Sequence, residues 1–160
     1  MASGYAKQTA ISASGSIAEI QRTVERFGAD AFAFSQHAKG GTIGFRFHNR
    51  TVRFDVELPD RNAPCFTETE GGQHRSPRKR KPEAALKEWE AACRSKWRSL
   101  ALLIKALVVA IEDGLIDFDR AFMHDIVMPN GRTVGSTLLP DVQRMVESGK
   151  QSPLFLEAKP

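Results

Sequence analysis

The chain has 160 residues, 41% apolar and 26% charged, and carries a net charge of +4, a balance that suits one soluble globular domain with a real core. Cys65 and Cys93, without CxxC spacing, argue against a disulfide framework or a zinc site and fit a reducing cytosol. Met1–Ser14 holds no apolar run, so neither signal peptide nor anchor is expected, and the longest apolar stretch, Leu100–Ile111, contains Lys105 and falls short of the about 20 residues a membrane span needs.

Residues 1–15 read as a flexible lead-in, residues 16–150 as a single α+β domain, and residues 151–160 as a loose tail. Ser16-Ile17-Ala18-Glu19 has the form of a capping box. Ile17, Ile20, Val24 and Phe27 fall on one helical face and Gly28 suits a left-handed terminus, which predicts a helix over Ile17–Phe27. Three strands follow as an antiparallel meander: Phe32 and Phe34 alternate with small residues, Gly40-Gly41 turns the chain, and then Ile43, Phe45 and Phe47 alternate with Gly44, Arg46 and His48. After an Asn49-Arg50 link, Val52, Phe54, Val56 and Leu58 alternate with charged residues up to Pro59.

Residues 59–82 contain four of the eight prolines, a Gly71-Gly72 pair and no apolar period, so a mobile loop is expected. A long helix from about Glu83 to Asp113 comes next, its buried stripe running through Leu86, Trp89, Cys93, Trp97, Leu100, Ile104, Leu107 and Ile111. Its second half is apolar nearly all round. Asp117 then caps a helix carrying Phe118, Ala121 and Phe122 and extending as far as Ile126. Asn130-Gly131 makes a tight turn between 126–128 and 133–134, and Ser136 or Thr137 caps a last helix bearing Val142, Met145 and Val146 and stopping at Gly149. The expected core is Ile20, Val24, Phe32, Phe34, Phe45, Phe47, Phe54, Val56, Trp97, Leu100, Ile104, Leu107 and Ile111, with Phe45 and Phe54 on one sheet face.

Charge is the main functional signal. Between Arg75 and Lys105, ten basic residues stand against three glutamates, a charge of +7, whereas the remainder of the chain sums to −3. So concentrated a block repels itself unless an anion pairs with it. Arg75, Arg78, Lys79, Arg80 and Lys81 form an arm that can order on a nucleic acid, and a nuclear-import tag is the other standard reading of such a run. Lys87, Arg94, Arg98 and Lys105 follow on one helical stripe, able to track a phosphate backbone or to serve as an ordinary polar face. A two-residue turn at Asn49-Arg50 would set Arg46 opposite Arg53, a pair that phosphate relieves, or that Asp55 and Glu57 neutralise on a solvated face.

Trp89 and Trp97 lie near the buried stripe and read as core before base-stacking platforms. Asp117-Phe118-Asp119 and His124-Asp125 lack a second histidine–carboxylate cluster, so no metal, cofactor or catalytic role is expected, and His37 and His74 read as solvated.

The pattern Arg26-Phe27-Gly28-Ala29-Asp30-Ala31-Phe32, Leu58-Pro59-Asp60, Trp97-Arg98-Ser99-Leu100 through Lys105, Ile111-Glu112-Asp113-Gly114, Phe118, Phe122, Ile126 and Pro129-Asn130-Gly131-Arg132-Thr133-Val134-Gly135 resembles a group of small proteins of tailed bacteriophages and prophages. It implies the cytoplasm of a bacterial host and no catalytic residue. By topology alone, the helix and three strands before a helix resemble a double-stranded-RNA-binding domain, although the second helix is too long. The meander before a long helix resembles the core of single-strand-annealing proteins, which oligomerise and hold DNA in a basic groove. Sequence therefore leads to a non-enzymatic nucleic-acid-binding protein, DNA ahead of RNA, with low sequence specificity, a homo-oligomer being compatible with it. An acidic host protein docked on the basic surface is the alternative partner.

Overall fold

A computed structural model describes residues 10–69, 71 and 76–149. Helix α1 (Ala13–Phe27) begins one turn before the predicted capping box. Ser12 is the N-cap, with extended backbone, and its hydroxyl accepts from the Gly15 N–H at 3.0 Å. Ala13 and Ile17 both pack on the core, and burying that extra turn decides between the serine candidates. Ser16 is therefore inside the helix and wholly buried, and the Glu19 carboxylate reaches Arg98 rather than folding back. Gly28 ends the helix as expected, at φ 111.

Strands β1 (Ala31–His37), β2 (Gly40–Phe47) and β3 (Arg50–Glu57) form the expected antiparallel meander, in the order β1-β2-β3. Both turns differ from expectation. The first lies at Ala38-Lys39, and Gly40 and Gly41 belong to β2. A Cβ on Gly40 would sit 1.9 Å from the Val56 carbonyl oxygen, and one on Gly41 would sit 2.9 Å from that of Ser35. These glycines permit close strand approach; they do not turn the chain.

The second turn is His48-Asn49, with His48 at φ 51, a conformation histidine tolerates better than bulkier residues. Arg50 is drawn into β3, where its guanidinium grips both carboxylate oxygens of Asp119 at 3.0 and 3.2 Å. Consequently Phe45 faces Val52 and Ile43 faces Phe54, while Arg46 lies opposite Thr51 and Arg53 opposite Gly44. The register is displaced by two residues, which preserves faces. Phe45 and Phe54 do share the inner face, but the opposed arginine pair does not exist.

Helix α3 (Pro82–Glu112), about 46 Å long at 1.5 Å per residue, lies across that inner face. Trp97, Leu100, Ala101, Ile104 and Val108 are buried against Ile20 and Val24 of α1 and Ile43, Phe45, Val52 and Phe54 of the sheet. Its seam runs through Ala101 and Val108 as well, leaving Leu107 and Ile111 partly buried and Leu103 and Val109 exposed. Phe32, Phe47 and Val56 are also only partly buried, and Phe34, on the edge strand, is 39% exposed.

The centre of the core is filled from a residue absent from the predicted core. Asp117 caps α4 (Phe118–Phe122), accepting from the Arg120 N–H at 2.8 Å. Phe122 at its end is 0% exposed and meets Phe45 and Phe54 edge-on, at centroid distances of 5.5 and 6.3 Å. The chain then covers the outer edge of β3: Ile126 bridges Val52, and the Val127 N–H donates to Thr51 O at 2.8 Å. The Asn130-Gly131 turn forms as expected, with Gly131 at φ 78. Thr133, rather than Ser136 or Thr137, caps α5 (Val134–Glu147), its hydroxyl accepting from the Ser136 N–H at 3.1 Å. Val142, Met145 and Val146 on α5 remain at least half exposed.

Candidate nucleic-acid interface

The described part of residues 59–82, expected as a mobile loop, contains regular structure. Pro64 starts a one-turn helix, α2 (Pro64–Thr67), and the chain beyond it pairs with the basic run. Glu68 lies opposite Lys79, the Thr69 N–H donates to Arg78 O at 2.8 Å, and the Arg80 N–H donates to Thr67 O at 2.7 Å. The Thr69 hydroxyl adds a bond from the Arg78 N–H at 3.1 Å. Residues 67–69 and 78–80 thus form a short antiparallel ribbon leading directly into α3. The weak sequence signal for it was Thr67-Glu68-Thr69, a β-prone triplet lying before the basic run.

The ribbon sorts the cations. Arg80 turns inward: its Nε donates to Glu68 O at 2.9 Å and its Nη1 lies 3.7 Å from Glu88. Arg78, Lys79 and Lys81 are exposed, and none has an acidic partner among the described residues. Hollows of about 460 and 540 Å³ flank them; Lys79 and Arg80 line both, Arg61 and Asn62 one, and Thr69 and Ser76 the other. Lys81 is also the N-cap of α3 and makes no side-chain capping bond, so the N–H groups of the first turn face the same region. A helix start carries partial positive charge, which adds to that of the side chains. Arg75 and His74 lie outside the described residues.

The other sequence candidates do not form one surface with this ribbon. Lys87 is exposed, and Arg94 is half-buried without an acidic partner among the described residues. Arg98 is only 18% exposed and pairs with Glu19, which also stands 4.0 Å from the Lys105 ammonium. One carboxylate on α1 therefore interrupts the helical stripe. Arg46 pairs with Asp30 at 2.8 Å; Arg53 lies 3.3 Å from Asp55 and donates to Gly131 O at 3.0 Å. Both project from the sheet face opposite α3, so they cannot act with the ribbon.

The tryptophans differ in burial. Trp97 is 4% exposed, while Trp89 donates to Pro59 O at 2.8 Å with the Arg61 guanidinium 5.9 Å from its ring centroid. Phe34, Trp89, Trp97, Cys93 and Arg94 line a cleft of about 500 Å³ beside the start of α1. Burial pushes the Cys93 thiol pKa up; Glu90 adds to this and Arg94 opposes it. Asp119 is engaged by Arg50, and His124 by Asp125 at 2.9 Å. Among the described residues, no group of three or more His, Cys, Asp and Glu side chains could hold a metal ion. No helix among them is long and apolar enough to cross a membrane.

No protein-family model matches the chain, and no curated protein or solved structure matches it either.

Proposed function

We propose that this protein binds nucleic acid through the ribbon at the head of α3, with contacts to phosphate and little reading of bases. The observation that carries the proposal is the outward presentation of Arg78, Lys79 and Lys81, unpaired among the described residues, beside an uncapped helix start. Lys87, exposed further along α3, adds a cation on the same helix. Exposed Lys and Arg position a backbone and carry no donor–acceptor code for base edges, so sequence preference should be weak. On the resemblance to tailed-phage proteins, the setting is the cytoplasm of a bacterial host and DNA is the first substrate to test. The protein acts here as a binder, with no reaction of its own.

The test is binding to fluorescent single-stranded and duplex DNA over a salt series, comparing wild type with R78A/K79A/K81A. Each lost phosphate contact lowers the slope of log affinity against log salt by about 0.7–0.9, so the triple variant should flatten it by roughly 2–3. R46A/R53A, on the far face of the sheet, should leave the slope unchanged. Absence of binding to either DNA form at low salt overturns the reading.

A further inference from the structure

The two edges of the sheet are treated differently. At the β3 edge Ile126 bridges Val52 and the Val127 N–H donates to Thr51 O, whereas among the described residues no strand pairs with the outer side of β1. Ala31-Phe32-Ala33-Phe34-Ser35-Gln36-His37 holds no Lys, Arg, Asp, Glu or Pro and no bulge, the devices that normally blunt a free edge. The Ser35 carbonyl points at Gly41 on β2. Because backbone groups alternate in direction along an antiparallel strand, the N–H and C=O groups of Phe32, Phe34 and Gln36 point out of the sheet.

We infer that β1 pairs antiparallel with β1 of a second copy of this chain, about a two-fold axis at Phe34, giving one continuous sheet through both copies. A two-fold perpendicular to the sheet keeps inner residues with inner residues, so Phe34 meets its own copy, Phe32 meets Gln36, Ala33 meets Ser35, and Ala31 meets His37. That register uses every outward N–H and C=O of the strand. It opposes no two formal charges of like sign, and it covers Phe34, which is 39% exposed and packs edge-on against Trp97 at the rim of the core, 5.6 Å between centroids. The identical strand is the favoured occupant because, paired about Phe34, it satisfies every outward backbone group of this edge and brings no like charges together. A foreign strand would need neither property.

Sedimentation velocity on nuclease-treated protein over a concentration range tests this, nuclease excluding copies tethered by a polyanion. Wild type should pass from monomer to dimer. Gln36→Pro deletes an outward N–H that no internal bond uses, and A33K/S35K sets lysine opposite lysine on the exposed outer face. Both should sediment as monomers with an unchanged far-UV circular dichroism spectrum. Wild type that stays monomeric at every concentration overturns the inference, as does a dimer that neither variant weakens.

Discussion

Truncating Phe122 is the most searching test of the core. Its ring is 0% exposed, ends a five-residue helix and meets Phe45 and Phe54 edge-on across the inner sheet face. Phe122→Ala removes the transfer energy of a buried ring and its aromatic contacts, and leaves a cavity that a sheet and a long helix cannot easily close. The expected cost is about 3–5 kcal/mol. Against the 5–15 kcal/mol typical of a folded domain, that is a large share. It corresponds to a melting point lower by roughly 6–20 °C in a domain of this size. Phe34→Ala removes the same side chain from the rim, where 39% of it is already in water, and should cost only about 1–2 kcal/mol. Urea unfolding followed by circular dichroism, at a concentration that keeps both variants monomeric, compares them directly. Equal costs, or a larger cost at Phe34, would refute the placement of Phe122 at the centre.

Two further outcomes follow from buried polar groups. The Ser16 hydroxyl is fully buried and makes no hydrogen bond among the described residues, so Ser16→Ala should stabilise the protein by about 1 kcal/mol in the same urea assay, through relief of desolvation and better helix propensity. Cys65 is exposed, while Cys93 is buried with its thiol pKa raised mainly by that burial, so less of it is thiolate at any given pH. A colorimetric thiol reagent at mildly alkaline pH should therefore consume Cys65 fast and Cys93 slowly, with the second phase merging into the first in denaturant.

Hydrophobic period was enough to find the elements that build the core. The alternation from Ile43 to Leu58 and the three–four stepping from Leu86 to Ile104 specify a two-faced sheet and an amphipathic helix, because each element has one face to bury. The helix caps and the second turn were misplaced because they were read from polar residues, which several local structures satisfy equally. Ser12 and Ser16 both suit an N-cap, and the packing of Ala13 and Ile17 chose the earlier one. Asn49-Arg50 and His48-Asn49 both make a short turn, and the pairing of Arg50 with Asp119, far along the chain, favours the second. In the candidate interface, the basic run was plain from charge density. Which of its members are free was not, because Arg80 is claimed by a carbonyl and a glutamate brought near only by the ribbon.

Helix α3 is charged against its own dipole. Its positive end is crowded by Lys79, Lys81 and Lys87, with Glu83 the only acid of the first turn, while no base stands in the last turn and Glu112 and Asp113 close it. A helix optimised for stability alone would carry these charges the other way round. The free protein therefore holds electrostatic strain at the same end that offers itself to a ligand. Moderate salt should firm the head of α3 by screening that repulsion, the reverse of what it does to the ion pairs elsewhere on the surface. A polyanion seated there would relieve the strain far more than diffuse ions do, so that binding and folding at the head of α3 would reinforce each other.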